Sequence, residues 1–367
     1  MGKAITRRKI FIAATRQNDG KTTISLGLIN AFKKRFKNVG FIKPVGQRYV
    51  IEEGYKVDED SVLIEKVCGI SSCLKDMSPI AIEKGFTEKY IKIGGHDKLV
   101  SDITDSFERI CKRKKLVVIE GTGHAGVGSV FDLSNARVAN LLGAKVILVT
   151  AGGIGKPIDE IELNMALFEK EGVDVIGVIV NKVLPSKYKK IKRVVKMALK
   201  KKGIELFGLI PYTPQLSMPT IQHVLEEADI KLISKNKAGA RNKIRKILVG
   251  AMEPQEALSY IEDGSLLITP GDREDIFMAL LNKKSKKKVS IAGIVLTGGI
   301  VPNKKIMSLM KKARIPVLLS KKHTYAAAAE IHDIAIKIRP DDKEKTKIAT
   351  KLVEKYVDVN RILAKIR

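Results

Sequence analysis

Gly20, Lys21, Thr22 and Thr23 have the types and the order needed to handle a polyphosphate. A glycine lets the main chain approach an anion, the lysine supplies a point charge for β- and γ-phosphates, and the threonine hydroxyl after it can ligate Mg²⁺. Thr15, Arg16, Gln17, Asn18 and Asp19 precede them, a polar stretch whose N–H groups can turn inward around an anion. The usual loop has a glycine five residues before Gly20, where Thr15 stands, so a strand, turn and helix with a chance Gly-Lys-Thr competes on this stretch alone. Further along, Glu120 closes the apolar run Leu116 to Ile119 and leads into Gly121-Thr122-Gly123. An acid at that place is where phosphate-loop enzymes set a carboxylate beside Mg²⁺. Lys43 ends a second apolar run before Pro44; it would neutralise a phosphoryl group or an anionic substrate, or simply precede a turn. Asp60 enters a helix, either complementing its dipole or ligating metal, and Asn181 ends a strand, either reading a base edge or capping the turn. His124 is open between loop packing and substrate contact, and His96 reads as a satisfied surface histidine.

These residues need a scaffold that gathers strand ends. Ile10 to Ala13, Val39 to Ile42, Leu116 to Ile119, Lys145 to Thr150, Val175 to Val180 and Leu206 to Ile210 are short apolar runs, as expected of strands covered on both faces. Helical spacing follows most of them: Ile24, Leu28 and Phe32; residues 57 to 69; Ile103, Phe107 and Ile110; residues 158 to 169; and the basic stretch from Tyr188 to Lys201. Alternation of this kind predicts a mainly parallel sheet with helices on both faces, joined by right-handed crossovers. In such a sheet ligands gather at the carboxyl ends of the strands, where Lys43, Glu120 and Asn181 fall. The proline-rich residues 211 to 219 mark a boundary, after which the strand–helix rhythm restarts. Asp272-Arg273 reads there as a structural ion pair at a strand–helix junction, and residues from 341 read as one or two helices that pack back.

The 367 residues suffice for two domains or three small ones. No apolar run reaches the roughly 18 to 20 residues that span a bilayer, and no signal-type h-region follows the basic start, so a cytoplasmic protein with no membrane partner is expected. Cys68, Cys73 and Cys111 are odd in number and wrongly spaced for a zinc ribbon or a disulfide framework, so they read as reduced thiols. The net charge of +28 invites a nucleic-acid reading. With aromatic residues at 5% and no stacking platform, a lysine-rich surface of compositional origin is favoured over polynucleotide binding.

Through Gly20-Lys21-Thr22, Lys43-Pro44-Val45, Asp60-Ser61 and Glu120-Gly121-Thr122-Gly123, residues 9 to about 214 resemble the dethiobiotin synthetase-like branch of phosphate-loop proteins. Residues 216 to about 322 resemble the DRTGG domain, whose naming residues stand here as Asp272-Arg273 and Thr297-Gly298-Gly299. Together and in this order they are similar to the amino-terminal portion of long phosphotransacetylases. The resemblance implies a P-loop NTPase-like α/β domain over 1–214, a smaller α/β DRTGG domain over 215–340 and a helical tail over 341–367. It also implies ATP and Mg²⁺ as cofactors. Arg16, Asp19, Gly20, Lys21, Thr22, Thr23 and Asn181 would hold the nucleotide, Thr22, Asp60 and Glu120 the metal, and Lys21 and Lys43 the reacting phosphate or a substrate carboxylate. Arg16 lies five residues before Lys21, where related dimeric ATPases place a signature lysine, which implies a homodimer. The departures at Ala14, at Thr15 and in the longer loop after Glu120 bear on the substrate more than on the nucleotide. With no room within 367 residues for the separate acetyltransferase domain, acetyl transfer is not expected of this chain alone. Two functions follow: a nucleotide-dependent regulator or sensor with an enzyme of acyl or acetyl metabolism as partner, or an ATP-dependent ligase that activates a small carboxylate or carbamate as an acyl-phosphate. A nucleic-acid-associated ATPase ranks third.

Overall fold

The computed structural model describes residues 8–112, 114–234, 237–282, 290–334 and 336–366. The chain divides into two units, one built from Met1–Leu216 with Ile338–Arg367 and the other from Ser217–Lys337.

In the first unit β1 (Arg8–Ala14), β2 (Val39–Ile42), β3 (Leu116–Glu120), β4 (Lys145–Ala151), β5 (Val175–Val183) and β6 (Leu206–Pro211) form a sheet in the order β6-β5-β4-β1-β3-β2. Every pairing in it is parallel. Residues 10–14 of β1 and all of β2 and β3 are buried, because helices cover both faces and an alternating pattern would put polar groups into the core. The strand order reverses around β1, so β1 and β3 lie side by side although about a hundred residues separate them. Their ends open at the carboxyl edge, the place where doubly wound sheets bind ligands. Helices α1 (Lys21–Lys33), α2 (Glu59–Cys68), α3 (His96–Cys111), α4 (Gly155–Lys170) and α5 (Tyr188–Lys201) follow the strands. In α5 only Ile191, Val195 and Leu199 are buried, and the lysines between them stay in solvent. Gly94 and Gly95 connect the helix Phe86–Ile93 to α3, and His96 is the first residue of α3.

An antiparallel hairpin of Tyr49–Glu52 with Tyr55–Asp58 was not expected from the sequence. Its first strand is largely exposed, so it lacks the apolar run that betrays a buried strand.

The second unit carries β7 (Ile230–Leu232), β8 (Lys246–Val249), β9 (Ser265–Pro270), β10 (Gly293–Thr297) and β11 (Val317–Ser320), in the order β7-β11-β10-β9-β8. Strand β7 is antiparallel to β11 and the remaining pairs are parallel. Helices α6 (Glu274–Asn282) and α7 (Thr324–His332) follow β9 and β11. Arg273 does not pair with Asp272: its guanidinium binds Asp275, at 2.9 Å from Nη2 to Oδ2, and donates to Met252 O at 3.0 Å. Neighbouring residues project in different directions, whereas Asp275 lies in the first turn of α6 within reach.

The chain then returns to the first unit as α8 (Lys343–Tyr356) and α9 (Val359–Lys365). Ala349 and Val353 of α8 pack against Gly27 of α1, and Asn30 donates to Thr350 Oγ1 at 2.9 Å. A Cβ at Gly27 would come within 2.6 Å of Val353 Cβ, so the glycine is what permits this close approach. Cys68 and Cys111 are buried and Cys73 is exposed, and none of them forms a disulfide. Among the described residues no helix is long and apolar enough to cross a membrane.

Candidate functional site

The loop between β1 and α1 is braced from within. Thr15 N–H donates to Val149 O at 2.8 Å, in line with the sheet, and Arg16 N–H donates to Asp19 Oδ2 at 2.9 Å. These two amides are therefore turned to protein partners, and an anion is left to the rest of the loop and the start of α1. The Thr15 hydroxyl, at the position of the customary glycine, lies 2.8 Å from Asp19 Oδ2 and 2.9 Å from Thr150 Oγ1, which ties the loop to β4. Burial pushes the Asp19 carboxyl above its ordinary value, opposed by the Thr15 hydroxyl and Arg16. Gly20 caps α1 with φ 98, in the left-handed region, and a Cβ there would collide with the Asn181 amide. Glycine thus meets two demands at once. No side chain caps α1, so its first-turn N–H groups and positive dipole end are left for an anion.

Lys21 Nζ donates to Gly123 O at 3.3 Å and Thr22 Oγ1 donates to Glu120 Oε1 at 3.0 Å, so the loop after β1 and the end of β3 meet. Burial pushes the Lys21 ammonium below the ordinary lysine value; Lys43 adds to this, and Glu120, Asp60 and Asp19 oppose it. Glu120 is 1% exposed, and its Oε2 is a buried oxygen with no hydrogen-bond partner among the described residues. Burial and the neighbouring Asp60 carboxylate push its pKa up, while Lys43 and Lys21 draw it down.

Lys43 is not at an open mouth. It is 5% exposed, and its ammonium pairs with Asp60 Oδ2 and with Asp58 Oδ1 at 2.9 Å, while Glu120 Oε1 lies 3.7 Å away. Burial alone would lower its pKa, but Asp60, Asp58 and Glu120 outweigh burial and hold it well above the ordinary lysine range. Asp58 is the member of this cluster that sequence reasoning missed. It caps α2 by accepting from Asp60 N–H at 2.9 Å, which positions Asp60 for Lys43. An aspartate directly before an acidic first turn is an N-cap signal, and that signal could have found it.

Asn181 is likewise committed to the protein: its Nδ2 donates to Asp19 O and its Oδ1 accepts from Lys182 N–H, both at 2.9 Å. It ties the loop to the end of β5. Arg16 pairs with Glu160 at 3.0 Å. Thr23 lies half-buried in the first turn of α1. His124 is exposed, and its Nδ1 accepts from Gly126 N–H at 3.2 Å, which is loop packing. Two buried asparagines hold the loop after β3. Asn135 accepts from Thr122 N–H at 3.0 Å and donates to His124 O at 2.6 Å; Asn164 accepts from Ala125 N–H at 2.8 Å and donates to Thr15 O at 3.3 Å. Lone asparagines give no spacing signal, so the sequence did not reveal them.

The fold therefore gathers Lys21, Thr22, Lys43, Asp60 and Glu120 at one carboxyl edge and sets Arg16 and Asn181 against the loop itself. An uncapped helix start, a left-handed glycine and an orphaned carboxylate oxygen suit a phosphate-bound hard cation. Among the described residues no group of three or more His, Cys, Asp or Glu side chains is arranged to hold a metal ion by itself. A cation here would thus draw on phosphate oxygens, as Mg²⁺ usually does.

Comparison with known proteins finds relatives that match along nearly the whole chain. Phosphate acetyltransferase of Pseudomonas putida is 28% identical over 359 residues, covering 95% of this chain and 50% of the relative. That of Nitratidesulfovibrio vulgaris is 25% identical, covering 96% and 51%. The chain spans about half the length of these curated relatives. Among solved structures, a ParA family ATPase from Chlorobium tepidum matches 58% of this chain and 87% of its own, at 14% identity and TM-score 0.36. The CBS and DRTGG domains of the Clostridium perfringens pyrophosphatase regulatory region, complexed with diadenosine tetraphosphate, match 47% of this chain and 85% of their own, at 16% identity and TM-score 0.28. Residues 223–334 match the DRTGG domain and residues 8–220, more than half of the chain, match the AAA domain, so the chain belongs to that AAA-domain family of phosphate-loop proteins and carries a DRTGG domain after it.

Proposed function

We propose that the first unit binds ATP with Mg²⁺ and that the second passes on its nucleotide state, making the chain a nucleotide-dependent regulator or sensor for an enzyme of acyl or acetyl metabolism. The observation that carries this reading is the meeting of Lys21, Thr22 and Glu120 beside the uncapped start of α1. Bound Mg²⁺ would neutralise phosphate charge; Thr22, Glu120 and Asp60 are the residues that would hold it. On this chain's side, Lys21 would bind the terminal phosphates, while Asn181 and Thr15 keep the loop in shape. The ligase alternative draws less support, since it needs Lys43 to reach a substrate and that ammonium is enclosed by carboxylates. The relatives that match along nearly the whole chain support a setting in acyl-phosphate and acetyl chemistry.

Thermal or chemical unfolding with and without ATP and Mg²⁺ tests the reading. At a nucleotide concentration one hundred times Kd the stabilisation is about 2.7 kcal/mol, and Lys21→Ala should abolish it. A wild-type melting curve that nucleotide leaves in place would remove the proposal. Phosphate release unchanged by a panel of small carboxylic and amino acids would favour the sensor over the ligase.

A further inference from the structure

The ammonium of Lys43 sits where the carboxylates of this edge converge: against Asp58 and Asp60, with Glu120 Oε1 at 3.7 Å, and that same oxygen accepts from Thr22. Thr22, Asp60 and Glu120 are the groups that would take a divalent cation together with phosphate oxygens, and Glu120 Oε2 is buried with no hydrogen-bond partner among the described residues. We propose that Lys43 is a built-in stand-in for the cation, occupying its place when nucleotide is absent and withdrawing when Mg²⁺ arrives with phosphate. This inference rests on the reading of the edge as an ATP site and adds how metal entry is controlled there.

Charge dictates the order of events. Lys21 and Lys43 already offset part of the negative charge of Asp19, Asp58, Asp60 and Glu120. A divalent ion entering alone would meet two ammoniums in a poorly screened interior, where like charges repel strongly. The phosphates of a nucleotide supply the missing negative charge. Lys43 can then leave the carboxylates for the phosphates without becoming an unpaired buried ion, an arrangement that would be costly. Metal binding thereby becomes conditional on nucleotide, and the site stays ordered but closed to free Mg²⁺.

The test measures Mn²⁺ binding by electron paramagnetic resonance, with and without a non-hydrolysable ATP analogue, on the full chain. Without the analogue, wild type and Lys43→Arg should bind Mn²⁺ about tenfold or more weakly than Lys43→Met, and all three should bind it once the analogue is added. Equal Mn²⁺ binding by wild type and Lys43→Met without nucleotide, whether both bind or neither does, would overturn the proposal. Should Lys43→Met be unfolded in EDTA, recovery of its melting transition by Mn²⁺ but not by NaCl supports the proposal, and failure to recover overturns it. Binding of the analogue to wild type, followed by calorimetry, is scored separately. Its absence together with an intact Mn²⁺ difference would remove the ATP reading and leave Lys43 as the cation stand-in.

Discussion

At the carboxyl edge of the first sheet the buried groups include five charged ones, Asp19, Lys43, Asp58, Asp60 and Glu120, beside the neutral Thr15, Thr150 and Asn181. At the carboxyl edge of the second they are neutral: Thr269, Thr297 and Ser320 are buried, and the charged pair Arg273–Asp275 lies near the surface. Both edges use a glycine where chains approach closely, Gly20 against the Asn181 amide and Gly271 against the Ile300 carbonyl. In the second unit hydroxyls complete the edge, with Thr297 and Thr324 2.8 Å apart and Thr269 donating to Gly250 O at 3.0 Å. Burying an ion costs several kcal/mol even after relaxation, whereas burying a hydrogen-bonded hydroxyl is nearly neutral. The first edge therefore gives up stability to keep charge in place, which fits a site for an ionic ligand. The second is built from groups that do not carry that cost.

The sharpest way to break this contrast is to unpair a charge in the first edge. Asp60→Ala leaves the buried Lys43 ammonium short of a partner and should lower the unfolding free energy by about 3–5 kcal/mol in a denaturant titration. A loss below about 1 kcal/mol would mean the cluster is solvated and the contrast false. Steric rather than ionic stress should be smaller. Gly27→Val would drive α8 away from α1 and cost about 1–3 kcal/mol, read as an earlier melting transition. In the second unit Arg273→Ala removes only a partly exposed pair, worth about 0–1 kcal/mol at most. The Arg273 side chain holds the Asp275 carboxyl below its ordinary value of 3.8, so any contribution is present above that value and fades as pH falls below it. Wild type and Arg273→Ala should therefore converge in stability on acidification. The smallest effect concerns the thiols. Burial pushes Cys68 up to about 12, so iodoacetamide at mildly alkaline pH should label the exposed Cys73 first and spare Cys68 until the protein unfolds.

The strands were legible because parallel strands covered on both faces read as unbroken apolar runs. Val39–Ile42 and the helix Tyr188–Lys201 have the same limits in the sequence reading and in the fold. The hairpin at Tyr49–Asp58 was not legible, because an exposed two-stranded ribbon has no buried face to impose a pattern. In the candidate site, Lys21, Thr22 and Glu120 could be named because motif chemistry fixes each of them locally. The environment of Lys43 could not be read that way. Whether a lysine at a strand end faces solvent or carboxylates depends on how the Asp58–Asp60 turn folds back, a contact between segments and not a property of either. Asn135 and Asn164 escaped for the same reason, as did the pairing of Arg273 with Asp275 rather than with Asp272.

The hydrophobic cluster of the first unit includes Ala349, Val353, Val357, Ile362 and Leu363. One hydrogen bond across that junction joins residues 320 positions apart in sequence. On a ribosome, the helix that opens at Lys21 would wait with one flank bare while the whole DRTGG segment is synthesised and folds. The core of the first unit would then be completed late in translation, after residues 349–363 emerge, so a nascent chain stalled before them should expose apolar surface to chaperones.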